Sequence, residues 1–239
     1  MGTKINMHEI VEGIIRSLET LKDPDRIAFA KKSYPTKSKV IGVTVPNEKL
    51  ILKELNALTN KWTGKEKLEL AKQLVNTDIF ECQHIAFEYL GRDKKALHEL
   101  SEQDIYDFDR NLDNWVAVDC FSAYLLGYAW RENKVSTEKV KSYMGSEDFW
   151  RRRIPIVATV SLNQKARGGS GDAKRTIEIC TLAVDDHQDM INKALSWALR
   201  ELAKIEKEPV YNFITKHEEK LHPRVLREVR HKLNTGRKN

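Results

Sequence analysis

The sequence predicts an all-α fold, an α-solenoid in which helical pairs of similar length stack in order. Three observations predict it. Apolar residues recur at helical spacing along nearly the whole chain. Turn-forming residues at Pro24, Pro35, Pro46, Gly64, Gly91, Gly145 and Pro223 divide that periodicity into about a dozen helices of roughly ten to fifteen residues. The connections between them are short, which suits stacked pairs. No exact repeat is visible, and a compact helical bundle is the competing architecture.

Element by element, Ile10, Ile14, Ile15 and Leu18 form the first apolar stripe, and Leu50, Ile51, Leu55 and Leu58 the second. Leu68, Leu70, Ala71, Leu74 and Val75 follow, then Ile79, Ile85, Ala86, Tyr89 and Leu90. Asp78 with Glu81, and Ser101 with Asp104, have the spacing of N-terminal capping boxes. In the helix from Asn114, residues Val118, Phe121, Ser122 and Leu125 point toward the core or its edge. The stretch Ile154 to Val160 has strand-like propensity, but a helix survives there if Pro155 lies in its first turn or kinks it. The segment Asn163 to Arg175, with Gly168, Gly169 and Gly171, lacks Walker A spacing and reads as a flexible connection. A last helix carries Ile191, Leu195, Ala198, Leu202 and Ile205 as its core stripe. The chain reads as one domain over 1–239, its core at about 5–235 and a frayed basic tail at 235–239.

Composition narrows the function. With 239 residues and 41% hydrophobic content the chain can bury a proper core. Its 41 Lys+Arg against 35 Asp+Glu leave a formal charge of +6, which points to nucleic acid only if concentrated on one face. Mean hydropathy is −0.55, and no apolar run approaches the ~18 residues that cross a bilayer. Met1 to Leu18 lacks a signal-peptide core, and Asn6 stands where a myristoylation pattern after Gly2 needs Ser or Thr. Cys82, Cys120 and Cys180 are odd in number and sit in apolar runs, so they read as buried reduced thiols of a cytoplasmic protein. No H-x-x-x-H, C-x-x-C or G-x-S-x-G spacing occurs, and the histidines are scattered, so neither a metal site nor a serine nucleophile is expected.

The chemistry-bearing features are three tryptophans beside charges. Trp115 and Asp119 are four apart and share a helical face, where a cation would meet both a carboxylate and a π surface. The competing structural reading makes Trp115 a core anchor and Asp119 a cap or an arginine's partner. Lys193, Trp197, Arg200 and Lys204 form a second stripe spaced four, three and four, the pattern of a helix that tracks a phosphate backbone. Its bland counterpart is a solvated face with one covering tryptophan. Of the run Arg151, Arg152 and Arg153, only one side chain, best Arg153, can project with the tryptophans. The others face solvent or pair with Glu147 and Asp148.

At these residues the chain resembles the DNA alkylation repair enzymes of the AlkD type, DNA glycosylases built on HEAT-like helical repeats. Gly42 to Pro46 looks like the family's G-x-x-x-P turn, and Asn114 to Asp119 like its W-x-x-x-D segment. Ser146 to Arg153 looks like the helix that carries its arginine, and Lys193 to Lys204 like its W-x-L-R-E helix. The four are collinear and cover roughly residues 5 to 235. Pro155 and the Gly168 to Gly171 insertion depart from the pattern.

The resemblance implies a right-handed solenoid with a concave basic face that grips the DNA backbone while the lesion stays largely stacked. It implies that Asp119 is catalytic, with Trp115 and Trp197 flanking the deoxyribose. It assigns Arg153, Arg200, Lys204, Lys193, Thr44 and Lys49 to DNA, and no metal or cofactor. The expected partner is double-stranded DNA containing alkylated purines, met by a monomer in the cytoplasm, at the nucleoid when bound. A purine alkylated at N3 or N7 is cationic and leaves as a neutral base, so one carboxylate that stabilises an oxocarbenium-like sugar suffices. The rivals are a DNA-binding protein of the same scaffold that excises nothing, and a HEAT-like protein–protein scaffold.

Overall fold

The computed structural model describes residues 6–237, so Gly2 and the last two residues of the basic tail lie outside it. The described residues are helical, with an isolated bridge between Lys39 and Ile79 and no strand among them. The chain divides into two compact units, Met1–Phe121 and Ser122–Asn239. No helix among the described residues is long and apolar enough to cross a membrane.

The first unit holds α1 (Met7–Thr20), α2 (Pro24–Ser33), α3 (Val45–Leu58), α4 (Gly64–Val75), α5 (Phe80–Gly91), α6 (Lys94–Glu99), α7 (Glu102–Phe108) and α8 (Trp115–Cys120). Its centre is α5, where Cys82, Ile85, Ala86, Phe87, Tyr89 and Leu90 are all buried. A helix apolar on most of its circumference has to lie inside, and α4 and α8 pack against it. From α1 come Ile10, Val11, Ile14 and Leu18, and from α4 Leu70, Ala71 and Leu74. At about 1.5–3 kcal/mol for each large apolar side chain, these contacts dominate the unit's stability.

Two expected details change. The buried face of α3 is Ile51, Leu52 and Leu55, while Leu50 and Leu58 are 58% and 46% exposed. Asp78 does not cap α5: the N-cap is Ile79, without a side-chain bond, and Asp78 accepts instead from Ser38 Oγ. Glu81 is taken up by another task, described below. Ser101 and Asp104 do form a reciprocal capping box on α7.

The second unit holds α9 (Gly127–Arg131), α10 (Thr137–Ser142), α11 (Phe149–Asn163), α12 (Ala173–Leu182), α13 (Asp189–Leu202), α14 (Lys207–Lys216) and α15 (Pro223–Thr235). Helix α11 is buried from Arg153 to Asn163 and packs on α13, which in turn packs on α15. Pro155 stands inside α11 rather than in its first turn. It lacks the N–H that the helical ladder needs, and burial of Ile154, Ile156, Val157 and Val160 around it holds the helix together. Gly127 is required at the crossing of α9 and α11, because a Cβ there would stand 2.5 Å from that of Ser161.

The segment 163–175 is tied by specific bonds. Gly169 and Gly171 donate backbone N–H groups to Gln164 O and Leu162 O, and Asp172 donates to Asn163 Oδ1. Asn163 is buried and also reaches Thr176 Oγ1 at 2.8 Å. Arg131 donates to the carbonyl of Arg167, and Arg167 lies over the Tyr124 ring at 3.9 Å.

The expected helix lengths hold for α1 to α5 and α11 to α15 and fail for α6 to α10, which run five to seven residues. Part of the reason is a π-helical segment, Phe121–Leu126, that separates α8 from α9. Such segments recur at functional sites, and this one begins two residues after Asp119.

Candidate nucleic-acid site

In the first unit, α8 places Trp115 and Asp119 one turn apart. Asn114 starts the helix, its Oδ1 accepting the N–H of Ala117 at 3.0 Å, so the register of both side chains is set by a cap. Trp115 is 40% exposed, and its indole N–H donates to the carbonyl of Ser33 at 3.2 Å. Its ring meets Tyr34 edge-on at 6.2 Å, and Tyr34 stacks on Phe80 at 4.8 Å. The tryptophan is therefore oriented by the end of α2 while much of its surface stays in solvent. Asp119 is half-buried. A partly desolvated carboxylate beside an aromatic surface suits a cationic ligand.

Thr44 and Lys49 lie on and after the turn that leads into α3. Thr44 is the N-cap residue without a side-chain cap bond, and Lys49 is exposed. The turn itself is held by Glu81, which is 1% exposed. Its carboxylate accepts the backbone N–H groups of Ile41, Gly42 and Val43 at 3.0, 2.7 and 3.3 Å. Gly42 is necessary there, with φ of 88° and no room for a Cβ between Ile27 and Asp23. Asp113 fastens the loop after α2, accepting from Thr36 Oγ1 at 2.5 Å and Lys37 N at 2.6 Å.

In the second unit, α13 and the turn after it bring Lys193, Trp197, Arg200 and Lys204 together. With Glu201 and Lys232 they line a cavity of about 390 Å³. Helical spacing places them there because the opposite face buries Ile191, Leu195, Ala198 and Leu202. Each cation of α13 and its following turn already has an acidic neighbour. Lys193 reaches Asp189 at 2.6 Å, Lys204 reaches Glu201 at 2.6 Å, and Arg200 lies 3.7 Å from Glu228. Arg200 also donates through Nε to the carbonyl and hydroxyl of Ser196, both at 3.1 Å. Burial raises the pKa of Glu228, but bonds from Ser196 and Arg224 and the charges of Arg200 and Arg224 outweigh it, so the carboxyl is held below its ordinary range.

Arg153 does not line this cavity. It is 4% exposed and its guanidinium donates to the carbonyl of Met190. Arg152 pairs with Asp186 at 2.7 Å and meets Glu147 only at its backbone carbonyl, which corrects the expected pairing with Glu147 and Asp148. Arg151 lies over the Tyr143 ring.

Two features escaped the sequence. Lys232 joins the cavity from α15, and no local spacing links it to α13. In the first unit, His84, Glu88 and Cys120 place their ligating atoms within 4.8 Å of one another. His84 Nδ1 lies 2.5 Å from Glu48 Oε2. Burial works against a charge on His84, but bonds with Cys120 and Glu48 prevail and push its pKa up to about 10. The signal available was the His84–Glu88 spacing of four, which is unremarkable alone. The other two cysteines are buried, and burial pushes the Cys82 thiol up to about 12.

Comparison with curated proteins finds no match in sequence. A solved structure described as a predicted DNA alkylation repair enzyme from Enterococcus faecalis shares the fold, with a TM-score of 0.69 over 90% of this chain and 97% of that one at 18% identity. The family model for DNA alkylation repair enzymes matches residues 14–233. That match embraces both tryptophan sites, and the chain belongs to the DNA alkylation repair enzyme family, which supports a role in the repair of alkylation damage.

Proposed function

We propose that the protein is a monofunctional DNA glycosylase that hydrolyses the N-glycosidic bond of cationic N3- and N7-alkylated purines in duplex DNA. The observation that carries the reading is the pairing on α8 of an exposed, oriented Trp115 with a half-buried Asp119, in a member of this family. Asp119 stabilises the oxocarbenium-like sugar and positions water, and Trp115 packs on the charged nucleoside. At 4 Å and an effective dielectric near 20, one opposite charge contributes roughly 4 kcal/mol, about three decades in rate. Lys193, Arg200 and Lys204, which line a cavity with Trp197, meet phosphates. The helices are read as HEAT-like pairs, acting as a monomer on DNA in the cytoplasm.

A second reading, a DNA-binding protein that excises nothing, draws on Arg153. The arginine expected at the backbone is turned onto a carbonyl of its own chain. The deciding measurement is single-turnover release of base from duplex carrying N7-methylguanine, in EDTA, by wild type and Asp119→Asn. Release by wild type alone is the expected result. Silence from both, with salt-sensitive duplex binding intact, establishes the second reading.

A further inference from the structure

The cluster behind α8 is not used by the reaction proposed above, and its donors are of three kinds. His84 and Glu88 project from α5, and Cys120 ends α8. A ring nitrogen, a carboxylate oxygen and a sulfur lie within 4.8 Å of one another. We propose that His84, Glu88 and Cys120 form a binding site for a divalent transition-metal cation of the zinc class, with a fourth position open to water.

The donor set argues for this class. A mixed nitrogen, oxygen and sulfur set suits borderline-soft Zn²⁺ and not the hard cations, which take oxygen. The surroundings argue for a ligand rather than a bare nucleophile. Cys120 lies beside an imidazole and a carboxylate, and a divalent cation can engage all three donors at once. The imidazole is also held as a metal ligand is held: its Nδ1 faces the Glu48 carboxylate at 2.5 Å, so the other ring nitrogen faces Cys120, and a cation would replace that bond as the proton leaves. Glu48 is 6% exposed, so this support is built into the core. Tetrahedral ligands at zinc stand about 3.5 Å apart, so the three donors close in by roughly 1 Å. Glu88 shares a carboxylate oxygen with Arg92, so closing in on the cation would draw on that pair.

Binding would join α5 to the end of α8 and fix the backbone next to Asp119. The proposal does not rest on the glycosylase reading, because its test reads metal alone. Full-length protein stripped by chelator is titrated with Co²⁺ and followed by absorption. Uptake of one equivalent with a thiolate-to-cobalt charge-transfer band, displaced by Zn²⁺, is expected. Cys120→Ser should lose the band and bind at least tenfold more weakly, and Glu88→Gln should keep the band but weaken binding about tenfold. Glu48→Gln should cost ten- to hundredfold in affinity, as partners of metal-bound histidines do. Circular dichroism like wild type keeps each comparison valid, and Glu88→Gln, the least buried change, serves if Cys120→Ser misfolds. No band in wild type, a band that survives Cys120→Ser, or uptake indifferent to Glu88→Gln overturns the proposal. Alkylation of Cys120 by iodoacetamide that stoichiometric zinc fails to slow overturns it as well.

Discussion

Trp115 and Trp197 each stand one turn from charged groups, yet their settings differ. Trp115 rests on a backbone carbonyl and an aromatic neighbour, with one half-buried carboxylate four residues on. Trp197 lines a cavity whose other walls are all charged, four cations against one carboxylate. The first setting half-buries a carboxylate and keeps a π surface open, which favours recognition of a cation. The second offers positive charge, movable at Lys193 and Lys204 and already part-neutralised, which favours an anion such as phosphate. The same pairing of tryptophan with charge therefore serves opposite ligands, according to which partner the fold leaves accessible.

The largest expected effect tests the first setting. Asp119→Asn should lower single-turnover release of N7-methylguanine by about three decades, the Coulomb contribution of one charge. Duplex affinity should stay equal or rise. A joint loss of binding and release would assign Asp119 to structure and dissolve the contrast.

Next in size is the support beneath the turn before α3. Glu81→Ala strands three backbone N–H groups that now share one buried carboxylate, and hydrogen bonds to a charged group are worth about 1.5–3 kcal/mol each. Allowing for relaxation and water entry, a loss of about 3 kcal/mol is expected in urea unfolding followed at Trp115. A loss under 1 kcal/mol would show that the turn holds itself.

How much of this was legible depends on the range of the interaction. The core stripes of α1, α4, α5 and α13, the capping box at Ser101 and the shared face of Trp115 and Asp119 follow from spacings of three or four residues. The Asp78–Glu81 box has the same spacing and fails, because Glu81 meets the turn some forty residues earlier, where three N–H groups outbid one cap. Leu50 and Leu58 match a helical period but sit at the edge of the stripe, where α3 turns to solvent. The basic stripe was visible, and Asp189 and Glu201 stand at pairing distance from it in sequence, whereas Arg200's neighbour Glu228 comes from α15 and has no local signal. The cluster of His84, Glu48 and Cys120 joins three helices and has no local signature.

Smaller effects sharpen the second setting. Arg200 is 12% exposed at its side chain and bonded to Ser196, so it acts as a fixed charge rather than a mobile one. Arg200→Ala should weaken damaged and undamaged duplex alike, by about 1 kcal/mol, in titrations at matched salt. Selective loss for damaged duplex would move Arg200 from grip to lesion recognition.

The smallest effect has the most telling sign. Lys204 is 47% exposed and its ammonium lies 2.6 and 2.7 Å from the two oxygens of Glu201. The lysine end of the pair is open to solvent while Glu201 is buried, so a phosphate can compete for the lysine, but it must also approach Glu201. Glu201→Gln keeps the shape of the side chain and removes that repulsion. If the cavity grips phosphate, duplex binding should tighten about threefold and the log–log salt slope should steepen by up to about 0.9, one more phosphate neutralised. Weaker binding would mean that Glu201 acts by holding Lys204 in place, and the cavity would then be a packed, self-neutralised face. The direction of one small change thus decides whether the paired charges of α13 are a reservoir for DNA or an end in themselves.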